Sequence, residues 1–476
     1  MRFLTSLALL LLVLAPAERV AAQEDGPSQG IVDLYEAREE RDDWLIQDAT
    51  VLTVTNGTIE DGDVLVQDGN IAAVGEDVDA PGDVEVYDAS GEYVMPGIVD
   101  AHVHIGISNV NEATNPVTAE VDVGDVLDPF DVALYRALAG GVTTSHVMHG
   151  SANPIGGQNE TIKHRYGVTD PGELRFEGAP GTIKFALGEN PTRVHGTGQD
   201  IQPSTRMGVE HVIRRALNRA ERYAAQKEAF QNGERAAPPE HSERLEALAD
   251  VLSGDLQVHC HSYRADEIVM LMDVLDDFGV DDVTFQHVNE GFKVAPELAE
   301  YGAGASVFAD WWAYKFEVYY STAFNAAILA RNGVLTSINS DSGELDRHLY
   351  HEAAKTQKYG DLSKNQALKL ITINPAKQLG IADRVGSIEE GKDADLAIFS
   401  KHPLNIYTVP QRTYVDGVKR FDHADDPSDV RLFVDPEAPV PATRAGHTAG
   451  HAGTEEHRCM HGAFRMGAFA RKALQQ

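Results

Sequence analysis

Residues 94–105 read "VMPGIVDAHVHI", an apolar run ending in two histidines one residue apart. Side chains alternate faces along a strand, so His102 and His104 project together while Val103 turns away. Two neutral imidazoles side by side each offer a nitrogen lone pair, the start of a zinc-type site. A pair of hydrogen-bonded surface histidines would share the pattern, and the rest of the chain must decide between the two. Other apolar runs also end in polar residues: Lys184 in "TIKFALG", His259 and His261 in "LQVHCH", His287 in "VTFQHV" and Asp341 in "LTSINSD".

These runs belong to a larger order. Short apolar segments alternate with longer helical patterns, as in a parallel α/β arrangement. The candidate strands are "GIVDAHVH", "VTTSHVM", "TIKHR", "TIKFALG", "LQVHCH", "VTFQHV", "GASVFA" and "LTSINSD". Eight such strands with intervening helices predict a (β/α)8 TIM barrel over residues 97–384. Barrels of this kind place their chemistry at the C-terminal strand ends, where the five histidines, Lys184 and Asp341 fall. One histidine in an apolar strand is usually a satisfied core residue. Several ligand types at the ends of one barrel's strands point instead to a metal site. Residues 208–230 read as a strong helix, followed by a polar surface insertion at 231–244. Residues 44–96 and 385–435 hold short β-branched runs with "NG" and "DG" turns, which predicts a composite β-sandwich made by both chain ends.

Composition narrows the partners. The net charge of −34, from 40 basic and 74 acidic residues, argues against nucleic acid and anionic membranes. Cys260 and Cys459 are the two cysteines, so no disulfide framework supports the fold. Residues 1–22 have a basic start, an apolar core and small residues before Ala22, the order of a secretory signal peptide. The apolar run from Phe3 to Ala15 is shorter than the ~20 residues a spanning helix needs. Export to the periplasm or the medium is therefore expected, with no membrane association after cleavage. Residues 23–43 form a polar lead-in. The tail, 436–476, carries His447, His451, His457, His461 and Cys459 at spacings that fit no tight metal site.

In their order along the chain, "VMPGIVDAHVHI", "GGVTTSHV", "VHCH", "FQHVNEG", "INSDS" and "TINPAKQLGIADRVGSIEEGKDADLAIF" resemble the metal-dependent amidohydrolase superfamily, in its imidazolonepropionase- and prolidase-like branch. The resemblance implies that His102 and His104 bind one metal with Asp341, and that His259 and His287 bind a second. His261 shares the facing of His259 and is expected to support it or to touch substrate. A plain lysine cannot be a ligand, because an ammonium repels a divalent cation. In binuclear relatives this lysine takes up carbon dioxide, so Lys184 is expected as a carbamate bridging two divalent ions, zinc first, with manganese, iron or cobalt as alternatives. Glu189 is the rival ligand, and a Lys184 that merely extends to solvent is the remaining reading. The implied reaction is amide hydrolysis by a metal-activated water, with Asp341 as general acid and base. Deaminases of the superfamily need a glutamate three residues after the fifth-strand histidine. Ser262 stands there, which disfavours deamination.

Substrate contacts are expected from Gln158, Asn159 and His149 around a Gly-rich loop, "GSANPIGGQNETIKHRYG". Arg193 and Arg264 could pair with an anionic substrate or form surface ion pairs. "DWWAYKFE" supplies either an aromatic wall or core packing. The substrate is expected to be a dipeptide such as Xaa-Pro or a cyclic amide. A lactone or phosphoester, or a non-catalytic divalent-metal-binding role, are the alternatives, and a homo-oligomer is compatible with all of them.

Overall fold

The computed structural model describes residues 43–424 apart from 83 and 313. The expected signal peptide, nearly all of the lead-in, residues 425–435 and the histidine-containing tail lie outside the described residues.

Eight strands form the barrel wall: β6 (Ile98–Val103), β7 (Val142–Val147), β8 (Ile155–Lys163), β9 (Gly181–Ala186), β10 (Leu256–Ser262), β11 (Val283–His287), β12 (Gly304–Val307) and β13 (Leu335–Ile338). They pair in sequence order. Seven of the eight expected strands fall where the apolar runs place them. The third differs. β8 starts at Ile155 and runs antiparallel to both β7 and β9. Only residues 148–154 join it to β7, too few for the crossover that a parallel neighbour requires. Half of the expected Gly-rich loop, residues 155–163, is thereby strand.

The remaining barrel ladders, β6 with β7 and β9 through β13, are parallel. Alternation sends Val258, Cys260, Val283 and Phe285 outward into the main apolar core, against helices such as Arg206–Gln231, Glu243–Ser253 and Ala265–Asp277. The polar residues of opposite parity point inward. The predicted helix at 208–230 lies within Arg206–Gln231, whose N-terminus is capped by Thr205.

The second sheet joins β1 (Trp44–Leu52), β2 (Thr58–Gln67), β3 (Asn70–Gly75), β4 (Glu85–Asp88) and β5 (Tyr93–Pro96) to β14 (Leu396–Phe399), β15 (Pro410–Val415) and β16 (Val418–Asp422). The expected composite domain forms, but its strands are bonded into one continuous sheet rather than two separate ones. β5 accepts β1 on one edge and β14 on the other. Asp68–Gly69 and Asp416–Gly417 make the tight hairpin turns, all four residues at positive φ as a type I′ turn demands. The core of this sheet mixes both ends, with Trp44 stacked on Tyr414 at 4.2 Å.

A buried charge cluster joins the two parts. Lys163, at the end of β8, lies 2.6 Å from Asp393, 3.1 Å from Asp395 and 2.5 Å from Asp416, while Arg165 reaches Asp416 at 2.6 Å. A fully buried ammonium is tolerated only when paired in this way.

Candidate metal centre

Three inward positions of one strand parity, Asp100, His102 and His104, open the site at the end of β6. His102 and His104 have their rings 5.0 Å apart and perpendicular. Asp341 faces both, with Oδ1 3.6 Å from His102 Nε2 and 3.2 Å from His104 Nε2. These three side chains form a group able to hold a metal ion. His104 Nδ1 lies 2.7 Å from the carbonyl of Met148, which fixes the ring and directs Nε2 to Asp341.

His287 joins the group by a backbone distortion. Strict alternation would send it outward with Val283 and Phe285, yet its φ of 70° turns it inward. Its Nε2 is 3.9 Å from Asp341 Oδ2, and its ring lies 4.9 Å from that of His102. Asp341 is likewise left-handed, at φ 48°. Two non-glycine residues in this region at one site is the pattern expected where geometry serves function.

Lys184 is fully buried, with Nζ 3.0 Å from His102 Nε2. Burial pushes the pKa of His102 and His261 well below the usual imidazole range, and neighbouring Lys184 and His287 push the same way. His287 is lowered to about 3, again mainly by burial. Burial would raise Asp341, but the bond to His104 and the nearby His287 outweigh it and hold the carboxyl below its ordinary value. Neutral imidazoles around an ionised carboxylate are the donor set a divalent ion requires.

The two histidines of β10 stand in different surroundings. His259 faces inward one layer deeper than His261. Its Nδ1 accepts from Gln286 at 3.0 Å and its Nε2 lies 3.0 Å from Gln257 Oε1, so both nitrogens are spent. Its ring meets His146, not His287. The His261 ring lies 4.7 Å from that of His287. Two residues of equal parity on one strand share a facing and differ in depth along the strand.

The other expected contacts are scattered. Glu189 opens a short helix, Glu189–Thr192, and stands 3.5 Å from Arg193 and 4.0 Å from Lys315. Asn159 is buried in β8, accepting from His149 N and donating to Thr182, so it ties strands together. Gln158 donates to the Ala119 carbonyl. His149 is bonded to Glu112 N and Gly150 O. Arg264 is 44% exposed and donates two hydrogen bonds to Asp266, two residues on, in a surface ion pair. From "DWWAYKFE", Trp311 packs against a cluster of Tyr263, Phe308 and Val318: it stacks on Phe308 at 4.3 Å, and Phe308 on His287 at 4.6 Å. Asp100 and Asn190 escaped notice in the sequence. Asp100 shares the parity of His102 and His104 within "DAHVH", a signal that could have revealed it.

A model of the Amidohydrolase family matches residues 93–421. The chain belongs to that family. A solved amidohydrolase from Thermotoga maritima is 37% identical and superposes with a TM-score of 0.75, over 80% of this chain and 100% of that one. "Amidohydrolase tasK" of Hapsidospora irregularis is 33% identical over 396 residues, 75% of this chain but 40% of that relative. The chain therefore spans less than half the length of that relative. An imidazolonepropionase of Thermoplasma acidophilum is 25% identical over 337 residues, 66% of this chain and 77% of the relative.

The residues present fit the divalent ions used across the amidohydrolase family. His102 Nδ1 and both ring nitrogens of His287 are buried without a hydrogen-bond partner. A buried polar atom left so is costly unless something else satisfies it. A metal among His102, His104, His287 and Asp341 would do so for the atoms that face inward.

Proposed function

We propose that the protein is a metal-dependent hydrolase of an amide C–N bond. The observation that carries this reading is the convergence of His102, His104, His287 and Asp341 at one barrel end, with Lys184 buried among them. His102, His104 and Asp341 would hold one divalent ion, and His261 and His287 a second, with Lys184 joining both sites as a carbamate. When bound, such ions acidify a water and polarise the substrate carbonyl.

The remaining work belongs to the chain. The ionised Asp341 takes a proton from the attacking water and returns it to the leaving nitrogen. Its main-chain N–H donates to the His102 carbonyl at 2.9 Å, so base and ligand strand move as one unit. Tyr263 and Phe308, both stacked on His287, exclude water from the buried side of the site. Dipeptides and cyclic amides are the substrate classes to screen. The reading includes export, resting on the order of residues 1–22.

The test is hydrolysis of an amide panel by zinc-loaded protein and by Asp341→Asn. Turnover that falls roughly 10²–10⁴-fold in the variant is expected. Wild-type protein that binds metal yet hydrolyses no amide would refute the reading.

A further inference from the structure

Lys315 takes no part in the chemistry just proposed. It lies in the connection between β12 and the helix Asn325–Arg331, and its side chain is 13% exposed. Its ammonium rests 4.0 Å from the centroid of the Tyr263 ring and 5.7 Å from that of Tyr314, whose hydroxyl bonds to Tyr263. Asn190 Oδ1 accepts from Nζ at 3.1 Å, and the amide nitrogen of Asn190 lies 3.2 Å from His261 Nε2. One side chain therefore separates this ammonium from an imidazole of the metal-facing group.

Two carboxylates stand near Lys315, but neither is within hydrogen-bond distance. Glu317 Oε2 is 3.6 Å away and Glu189 Oε1 is 4.0 Å away. Both answer to other cations as well: Glu317 Oε1 accepts from Arg206 at 2.7 Å, and Glu189 lies 3.5 Å from Arg193. An ammonium has three N–H donors. Among the described residues, Asn190 is the acceptor that Lys315 reaches at bonding distance. A cation held on an aromatic face, beside the reactive group and short of close acceptors, is placed to receive an anion from a ligand.

We propose that Lys315 is a specificity residue that binds a carboxylate carried by the substrate next to the scissile amide. The substrates are then amides with a free carboxylate, such as N-acyl amino acids or dipeptides, in preference to neutral cyclic amides. This inference rests on the amide-hydrolase reading.

The test compares a set of N-acetyl amino acids with the matching N-acetyl amino alcohols, which lack the charge and add no cleavable bond. Wild-type zinc-loaded protein should favour the acids by roughly 10–100-fold in kcat/KM, the range of one charge-assisted bond. Lys315→Met, which keeps the apolar stem, should lose that preference through KM, and Lys315→Arg should restore part of it. An equal preference in wild type and Lys315→Met would overturn the proposal, as would wild-type indifference to the charge. If neither acids nor alcohols are cleaved, the amide-hydrolase reading fails by itself. Calorimetric binding of the N-acetyl amino acids then judges Lys315. At least a tenfold loss of affinity in Lys315→Met supports the carboxylate site, while equal or no binding refutes it. Thermal unfolding of each variant checks folding, and if Lys315→Met does not fold, Lys315→Gln takes its place.

Discussion

Asp100 Oδ1 accepts the main-chain N–H of Ser340 at 3.1 Å, joining the first barrel strand to the loop after the last. The same oxygen accepts the N–H of His102 at 3.1 Å, and the Ser340 hydroxyl donates to Oδ2. β6 and β13 share no ladder, so this carboxylate takes the place of one at the seam. It also fixes the two chain segments that carry His102 and Asp341.

Asp100→Ala should therefore cost about 1–3 kcal/mol, the penalty for stranding buried hydrogen-bond donors. Its urea midpoint should fall and its zinc content should drop. Unchanged metal binding with lowered stability would confine Asp100 to a structural role.

The two histidines of β10 should separate cleanly. His261→Asn is expected to lower metal per chain, read by elemental analysis, with little change in unfolding midpoint. His259→Asn should keep its metal but lose about 1–3 kcal/mol, because Gln257 and Gln286 each lose a buried partner. The reverse pattern would return the ligand role to His259.

Lys184→Ala, purified with bicarbonate present, should bind one metal ion per chain where wild type binds two. A single ion in wild type, unaffected by the substitution, would remove the carbamate. Glu189→Gln should then lower metal content, although its place beside Arg193 and Lys315 argues against a ligand role.

The charge cluster between the two parts predicts an acid limb of stability. Burial alone would raise the pKa of Asp416, but Lys163 and Arg165 override it and hold the carboxyl at about 2, against 3.8 ordinarily. A depressed carboxylate contributes stability above its unfolded value, and that contribution disappears as pH falls through about 2. The difference of 3.8 minus 2 corresponds to about 2 kcal/mol. Burial drives Asp395 the other way, to about 6 despite Lys163, so ionising it opposes folding above that pH. Urea midpoints between pH 7 and 2 should show Asp416→Asn losing the slope below pH 4 and Asp395→Asn losing the slope between pH 4 and 6. Parallel curves for both variants and wild type would refute the assignment.

Much of this architecture can be read from alternation and turn chemistry. The inward facing of His102 and His104, the "DG" hairpins and seven barrel strands follow from local rules. The failures have specific physical causes. β8 reverses because residues 148–154 cannot make a crossover, a constraint of connection length rather than composition. Parity gives the facing of His259 and His261 but not their depth. The inward turn of His287 depends on a left-handed φ that no periodicity encodes. The role of Arg264 stays open in the sequence because its partner Asp266 is two residues away, and a local pair leaves no long-range signal.

The stacking of Trp44 on Tyr414, with the Trp44 indole bonded to Gly417 across 373 positions, sets the order in which the molecule can be completed. Closing so long a loop carries an entropic cost that the intervening barrel reduces only once it has formed. During synthesis β1 to β5 must wait, with the edge of β5 unpaired, until β14 emerges. The meeting of the two ends is then expected late in folding, and fluorescence of a variant that keeps Trp44 as its one tryptophan would report it. Proteolytic loss of β14 to β16 would leave that edge open to a neighbouring chain, so aggregation would accompany the damage.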